Sequence, residues 1–316
     1  MQCYGEFSLS FEPIQLAPAL EEKEVYPYRR VWRTASIEIV ILVAVTLAIY
    51  LIEHFRPINL SPTQTTVIGL GLTVLPVLLW IGISYRRERR ALLPRPALFP
   101  IMILGFLVAN AVGIPLVNQV FNVNDWLTAA SGLSRIVGFT LVVGFTQEFL
   151  KYALLRYSVW PSAFRIRSDG IAYAMAAGIG YAAAINLSFL LTMNTAVDPA
   201  ALALRISEVT LSQVAISTIM GYLLAELKLS KPTPLFALPL GLTFAAFMTG
   251  IYMTARGGTI VGSLVGAAGG PANANSALQG LGVAIFFVIV LFVSLNTLIT
   301  NADERARLRN RPEFSR

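Results

Sequence analysis

Long apolar runs separated by short polar connections dominate this chain. Eight of them, at 34–53, 64–84, 97–121, 135–155, 169–193, 205–226, 233–254 and 279–300, have membrane-spanning length, since a helix rising 1.5 Å per residue needs about 17–25 residues to cross the hydrocarbon core. None shows the ten-residue alternation of apolar and polar positions that marks a strand of a membrane barrel. The pattern predicts an all-α integral membrane protein, a bundle of about eight transmembrane helices, multi-pass in the cell (plasma) membrane.

The segments between and around these runs set the organisation. Residues 1–33 read as a cytoplasmic N-terminal lead, with Pro13, Pro18 and Pro27 among scattered charges and no short basic head followed by an apolar core, so no cleavable signal is expected. Residues 34–300 form the predicted bundle and 301–316 a basic cytoplasmic tail. The stretch GGTIVGSLVGAAGGPANAN before the last run is either a mobile loop or a re-entrant segment. In the fifth run, Gly178 with Ala182, and Ala176 with Gly180 and Ala184, recur every four residues. Such small residues let helix backbones approach closely in lipid, which predicts a helix at the bundle centre.

Composition strengthens this reading. Of 316 residues 56% are hydrophobic and 13% charged, against roughly 25% charged in soluble domains. Charge decides orientation. With both termini cytoplasmic, nineteen lysines and arginines fall on that side and four on the other, with Lys151 inside a span, the bias expected of cytoplasmic loops. The net charge of +7 therefore belongs to connections that meet lipid headgroups rather than to a nucleic-acid surface. Cys3 is the single cysteine, which excludes an internal disulfide and a cysteine metal cluster.

Chemistry narrows next. His54, the only histidine, stands at the end of the first run, so a histidine-ligated zinc site and a serine protease with a histidine base both lack their imidazole. No metal and no cofactor are expected. Asp125, Asp169, Asp198 and Asp303 fall at or beyond span edges, which leaves an aspartyl dyad without its two facing carboxylates. Glu38, Glu53, Glu208 and Glu226 also read as near span ends, so Glu148 is expected to be the one acid at mid depth. It lies three residues from Lys151, on one helix face and within pairing distance. An ionisable pair at that depth is costly enough to mark a functional site, although an ion pair that only fixes helix packing fits the same spacing.

The run QEFLKY followed by SDGIAYAMAAGIGYAAAIN resembles the PrsW-type intramembrane proteases, whose pattern runs E-E-x-x-K-Y, D-G-x-x-Y and G-x-G-F-A-x-x-E-N, with a histidine on each of two later spans. Glu148, Lys151 and Tyr152 match the first block, Asp169, Gly170 and Tyr173 the second, and Gly178, Gly180, Ala182 and Asn186 the third, with Tyr181 in place of Phe. The resemblance covers about residues 135–255. It implies Glu148 and Lys151 as catalytic residues and a polar pocket lined by Gln147, Asp169, Asn186, Gln213 and Thr249. Four positions depart from the pattern: Gln147 replaces the first glutamate, Ile185 the glutamate of the E-N pair, and Gln213 and Thr249 the two histidines. Amide, hydroxyl and alkyl groups supply no general acid or base near neutral pH.

The expectation is a PrsW-like protein with impaired catalysis, a pseudoenzyme acting as a membrane scaffold or regulator of a transmembrane protein client. An active glutamic-type protease cleaving single-span membrane proteins is the alternative. A transporter or lipid-binding protein using the same polar layer is a further one, without the internal repeat common in transporters.

Overall fold

The structure, a computed structural model, describes residues 31–56, 60–91, 93–127, 130–192, 197–230, 236–259 and 274–309. The lead through residue 30, with Cys3, lies outside the described residues, as do most of the Gly-rich stretch before the last span and the end of the tail. Eight helices are long and apolar enough to cross a membrane: α1 (Val31–Phe55), α2 (Pro62–Glu88), α3 (Leu98–Val120), α5 (Gly132–Ser158), α6 (Arg167–Thr192), α7 (Pro199–Leu229), α8 (Ala237–Thr259) and α9 (Ala274–Arg309). A short helix, α4 (Val123–Leu127), links α3 to α5. No strand occurs among the described residues. Lipid offers the backbone no hydrogen-bond partner, so each apolar run satisfies its own amides and carbonyls as a helix.

Helices α6 and α7 form the centre, and α7 is the more deeply buried of the two. Their approach depends on missing side chains. A Cβ on Gly170 would sit 2.0 Å from the Gly221 carbonyl oxygen of α7, and one on Gly180 would sit 1.9 Å from the Met102 carbonyl oxygen of α3. The small-residue run of α6 thus serves two neighbours, one on each side. Interior of lipid-facing leucines and phenylalanines on α1, α2 and α9, the core gathers Tyr173, Ala174, Ala177, Ile216 and Met220.

Polar ties close the two ends. Arg167 donates to Glu226 and to Asp303, each at 2.7 Å, and so joins α6 to α7 and α9 at the end where the arginine-rich 86–95 connection also lies. At the opposite end the Glu53 carboxylate of α1 accepts the Ala200 amide, capping a first-turn donor of α7 that has no partner within its own helix. This cap explains why α7 starts at Pro199, six residues before its apolar run begins.

Glu208 differs from its expected placement. It is fully buried, nine residues into α7 and hence about 13 Å from the helix start. Its Oε1 accepts the Tyr252 hydroxyl at 2.9 Å. Glu38 is also buried, at 8% exposure. Glu148 is therefore one of several carboxylates removed from solvent.

Candidate functional site

The site begins with an irregularity in α5. Residues Phe139–Gly144 form a π-helical turn, a widening that changes the facing of everything after it and recurs at functional positions in helices. Close packing accompanies it: a Cβ on Gly144 would stand 2.4 Å from the Ala246 carbonyl oxygen of α8. Beyond this turn Gln147, Glu148 and Lys151 all face inward, at 8%, 0% and 2% exposure, while Phe149 between them faces outward.

Lys151 organises what they meet. Its ammonium donates to Glu148 Oε1 at 2.6 Å, to Ser217 Oγ at 2.9 Å and to Gln213 Oε1 at 3.0 Å, which uses all three of its N–H donors. With its oxygen committed to Lys151, Gln213 turns its amide nitrogen to Gln147 Oε1 at 2.8 Å. Thr249 of α8 donates to Glu148 Oε1 at 3.4 Å. The Tyr181 ring of α6 lies 5.4 Å from the ammonium, within cation–π range. Gly178 admits this arrangement, because a Cβ there would be 3.0 Å from Ser217 Oγ. Four helices thus converge on one lysine.

Glu148 is left with a single acceptor to spare. Its Oε2 is buried without a hydrogen-bond partner among the described residues, as is the Tyr181 hydroxyl. Beside the network lies a cavity of about 60 Å³, walled by Gln147, Ile185, Gln213, Tyr181 and Tyr252. A water needs roughly 10–15 Å³ of such space, so the cavity has room for a few waters.

The structure therefore brings together Gln147, Glu148, Lys151, Gln213 and Thr249, with Ile185 on the cavity wall. It does not bring Asn186 or Asp169 into the group. Asn186 follows Ile185 by one residue and points to α7, donating to the Ile206 carbonyl at 3.3 Å and to Thr210 Oγ1 at 3.4 Å. Asp169 lies about 24 Å along α6 from Ile185 at 1.5 Å per residue. There it pairs with Arg95 at 2.9 Å and accepts the Arg165 and Ile166 amides at 2.7 and 2.9 Å, as a helix-start carboxylate does. Placing these two in the pocket is corrected accordingly. Ser217 belongs to the site and was not anticipated, although it sits one helical turn beyond Gln213.

Comparison with known proteins fits this geometry. A family model described as PrsW family intramembrane metalloprotease matches residues 93–295, a wider region than the 135–255 over which the motifs register. No curated protein and no solved structure matches the chain. The described residues do not fit a metal centre: they hold no group of three His, Cys, Asp or Glu side chains able to share an ion. Glu148 already carries a cation, the Lys151 ammonium, and His54 is exposed near the end of α1, stacked on Tyr50. With well over half its length matched, the chain belongs to the PrsW family of intramembrane proteases.

Proposed function

We propose that this protein is a PrsW-family member with impaired peptide-bond hydrolysis, a pseudoenzyme that acts as a scaffold or regulator for a transmembrane protein client. The state of Glu148 carries this reading. Among the family positions Gln147, Glu148, Ile185, Gln213 and Thr249, only Glu148 has a side chain that exchanges protons near neutral pH. Its carboxylate is spent on Lys151 at 2.6 Å. General acid–base help is worth about 10²–10⁴ per group, so a site with one such group, held in an ion pair, retains little of it.

In this proposal Glu148 and Lys151 are the remnant of a catalytic pair, and Gln147, Gln213 and Thr249 hold them in place as a polar layer. Lysine and arginine placement supports an orientation with both termini cytoplasmic, residues 1–33 and 301–316 flanking the bundle; the membrane assigned in this proposal is the plasma membrane. A client is then a single-span protein held against the bundle and released uncut.

One observation favours a second reading, residual hydrolysis. Glu208 is another buried carboxylate, and its partner Tyr252 lines the cavity beside Gln147 and Gln213. Reconstitution of the purified chain with single-span membrane proteins separates the two. The scaffold reading expects a client that co-purifies intact, with Glu148→Gln changing the amount retained and no cleavage product at any time. Cleavage by the wild-type chain, abolished in Glu148→Gln, would overturn it and establish an active protease.

A further inference from the structure

We propose that a cleft at the arginine-rich end of the bundle binds a phosphate-bearing anion, supplied in the membrane by the headgroup of an anionic phospholipid. The cleft has a volume of about 370 Å³ and opens between α1, α2 and α6, within the roughly 300–1,000 Å³ range of small-molecule sites. Arg33, Arg87, Arg90 and Arg95 line it. Neither Glu148 nor any of its hydrogen-bond partners lines this cleft.

The charge is arranged for an incoming anion. Glu88 is the one carboxylate in the lining, and both its oxygens are engaged by Arg95: Oε1 accepts the backbone amide at 2.7 Å and Oε2 the guanidinium at 2.6 Å. Asp169 holds Arg95 from behind through Nε at 2.9 Å. The side chains of Arg33, Arg87 and Arg90 are exposed and make no hydrogen bond or ion pair with another described residue. Glu38, whose charge Arg87 also feels, lies a turn below Thr34 and lines the neighbouring crevice that shares Met175 with the cleft. Three guanidinium forks without a hydrogen bond or ion pair among the described residues therefore surround a space anchored by a fixed fourth, and the planar guanidinium matches phosphate oxygens in pairs.

The surroundings point to a lipid as the source. Trp80 forms a wall at 2% exposure, stacked on Tyr85 at 5.6 Å between ring centres, and tryptophan and tyrosine concentrate at headgroup depth. Val31, Leu98, Ala172 and Met175 give the cleft an apolar side. Met175 is shared with a neighbouring crevice walled mainly by Ala35, Leu42, Leu79, Ile179 and Leu211, with Glu38 the one charged side chain in its lining. A basic mouth over an apolar crevice is the layout that recognises a phospholipid head and the first part of its chain.

The test uses the full chain purified in neutral detergent, titrated separately with short-chain phosphatidylglycerol, phosphatidylcholine, glycerol phosphate and inorganic phosphate. Native mass spectrometry counts the bound molecules. Phosphatidylglycerol is expected to bind one to one and in preference to phosphatidylcholine. Arg87→Gln with Arg90→Gln should weaken it by about thirtyfold, the effect of two arginines at a membrane surface. Arg86→Gln with Arg89→Gln removes equal charge from exposed residues of the same connection outside the cleft and should leave binding unchanged. Equal losses in both pairs, or no preference between the two lipids, would overturn the site. Glycerol phosphate or inorganic phosphate binding as tightly, with the same arginine dependence, would keep the phosphate site and overturn the lipid as its source.

Discussion

Replacing Lys151 by Met removes one member of a buried ion pair and leaves the other. Glu148, at 0% exposure, would lose its 2.6 Å partner and keep only the 3.4 Å contact from Thr249. Removing one partner of a buried pair costs about 3–5 kcal/mol, because a charge stays behind uncompensated. The two bonds from Lys151 to Gln213 and Ser217 of α7 add less, since side-chain hydrogen bonds between membrane helices average about 0.6 kcal/mol. The stranded carboxylate therefore decides the outcome. Lys151→Met should lose about 3–5 kcal/mol, whereas Lys151→Met with Glu148→Leu, which removes both charges, should lie within about 1–2 kcal/mol of wild type.

Unfolding by sodium dodecyl sulfate in mixed micelles, followed through the four tryptophans, measures both variants on one scale. The comparison is a mutant cycle, and coupling between contacting residues reaches about 0.5–3 kcal/mol. The reasoning fails if Lys151→Met unfolds within about 1 kcal/mol of wild type. It fails equally if the double variant is no more stable than the single one, for then Lys151 acts by its hydrogen bonds or its bulk rather than by neutralising Glu148.

Other substitutions test the packing and the ends of the bundle. Gly180→Ala places a methyl 1.9 Å from the Met102 carbonyl oxygen, so folded yield should collapse with a loss of about 3 kcal/mol or more. Gly82→Ala, with nothing within 4 Å of the new Cβ, should be neutral or stabilise α2 by up to about 1 kcal/mol. Asp169→Ala frees two amides and removes the 2.9 Å partner of the Arg95 Nε, and should cost about 3 kcal/mol in the same unfolding assay without altering client retention. Tyr252→Phe removes the 2.9 Å bond to Glu208, and about 1–3 kcal/mol should be lost.

Which segments form spans was legible in the sequence; the direction each side chain faces was legible only in part. The eight spans follow from apolar length, because lipid leaves the backbone one way to satisfy itself. The largest error, the start of α7, arose where Arg205 and Glu208 look like residues seeking water. In the bundle the Arg205 guanidinium lies 3.7 Å from the Phe189 ring centre and Glu208 bonds Tyr252, so both are interior. At the site, Glu148 and Lys151 could be read as a pair because three residues nearly complete a helical turn. Gln213 and Thr249 could be placed only by motif spacing. Asn186 shows the limit of that spacing: consecutive residues on a helix diverge by about 100°, so Ile185 and Asn186 need not face one cavity, and the motif that names them together says nothing about which one does. Here the cavity receives Ile185 and α7 receives Asn186. Both carboxylates that the pattern would add to the cavity, at Gln147 and Ile185, are thus missing at positions that line it, while the preserved amide serves helix packing.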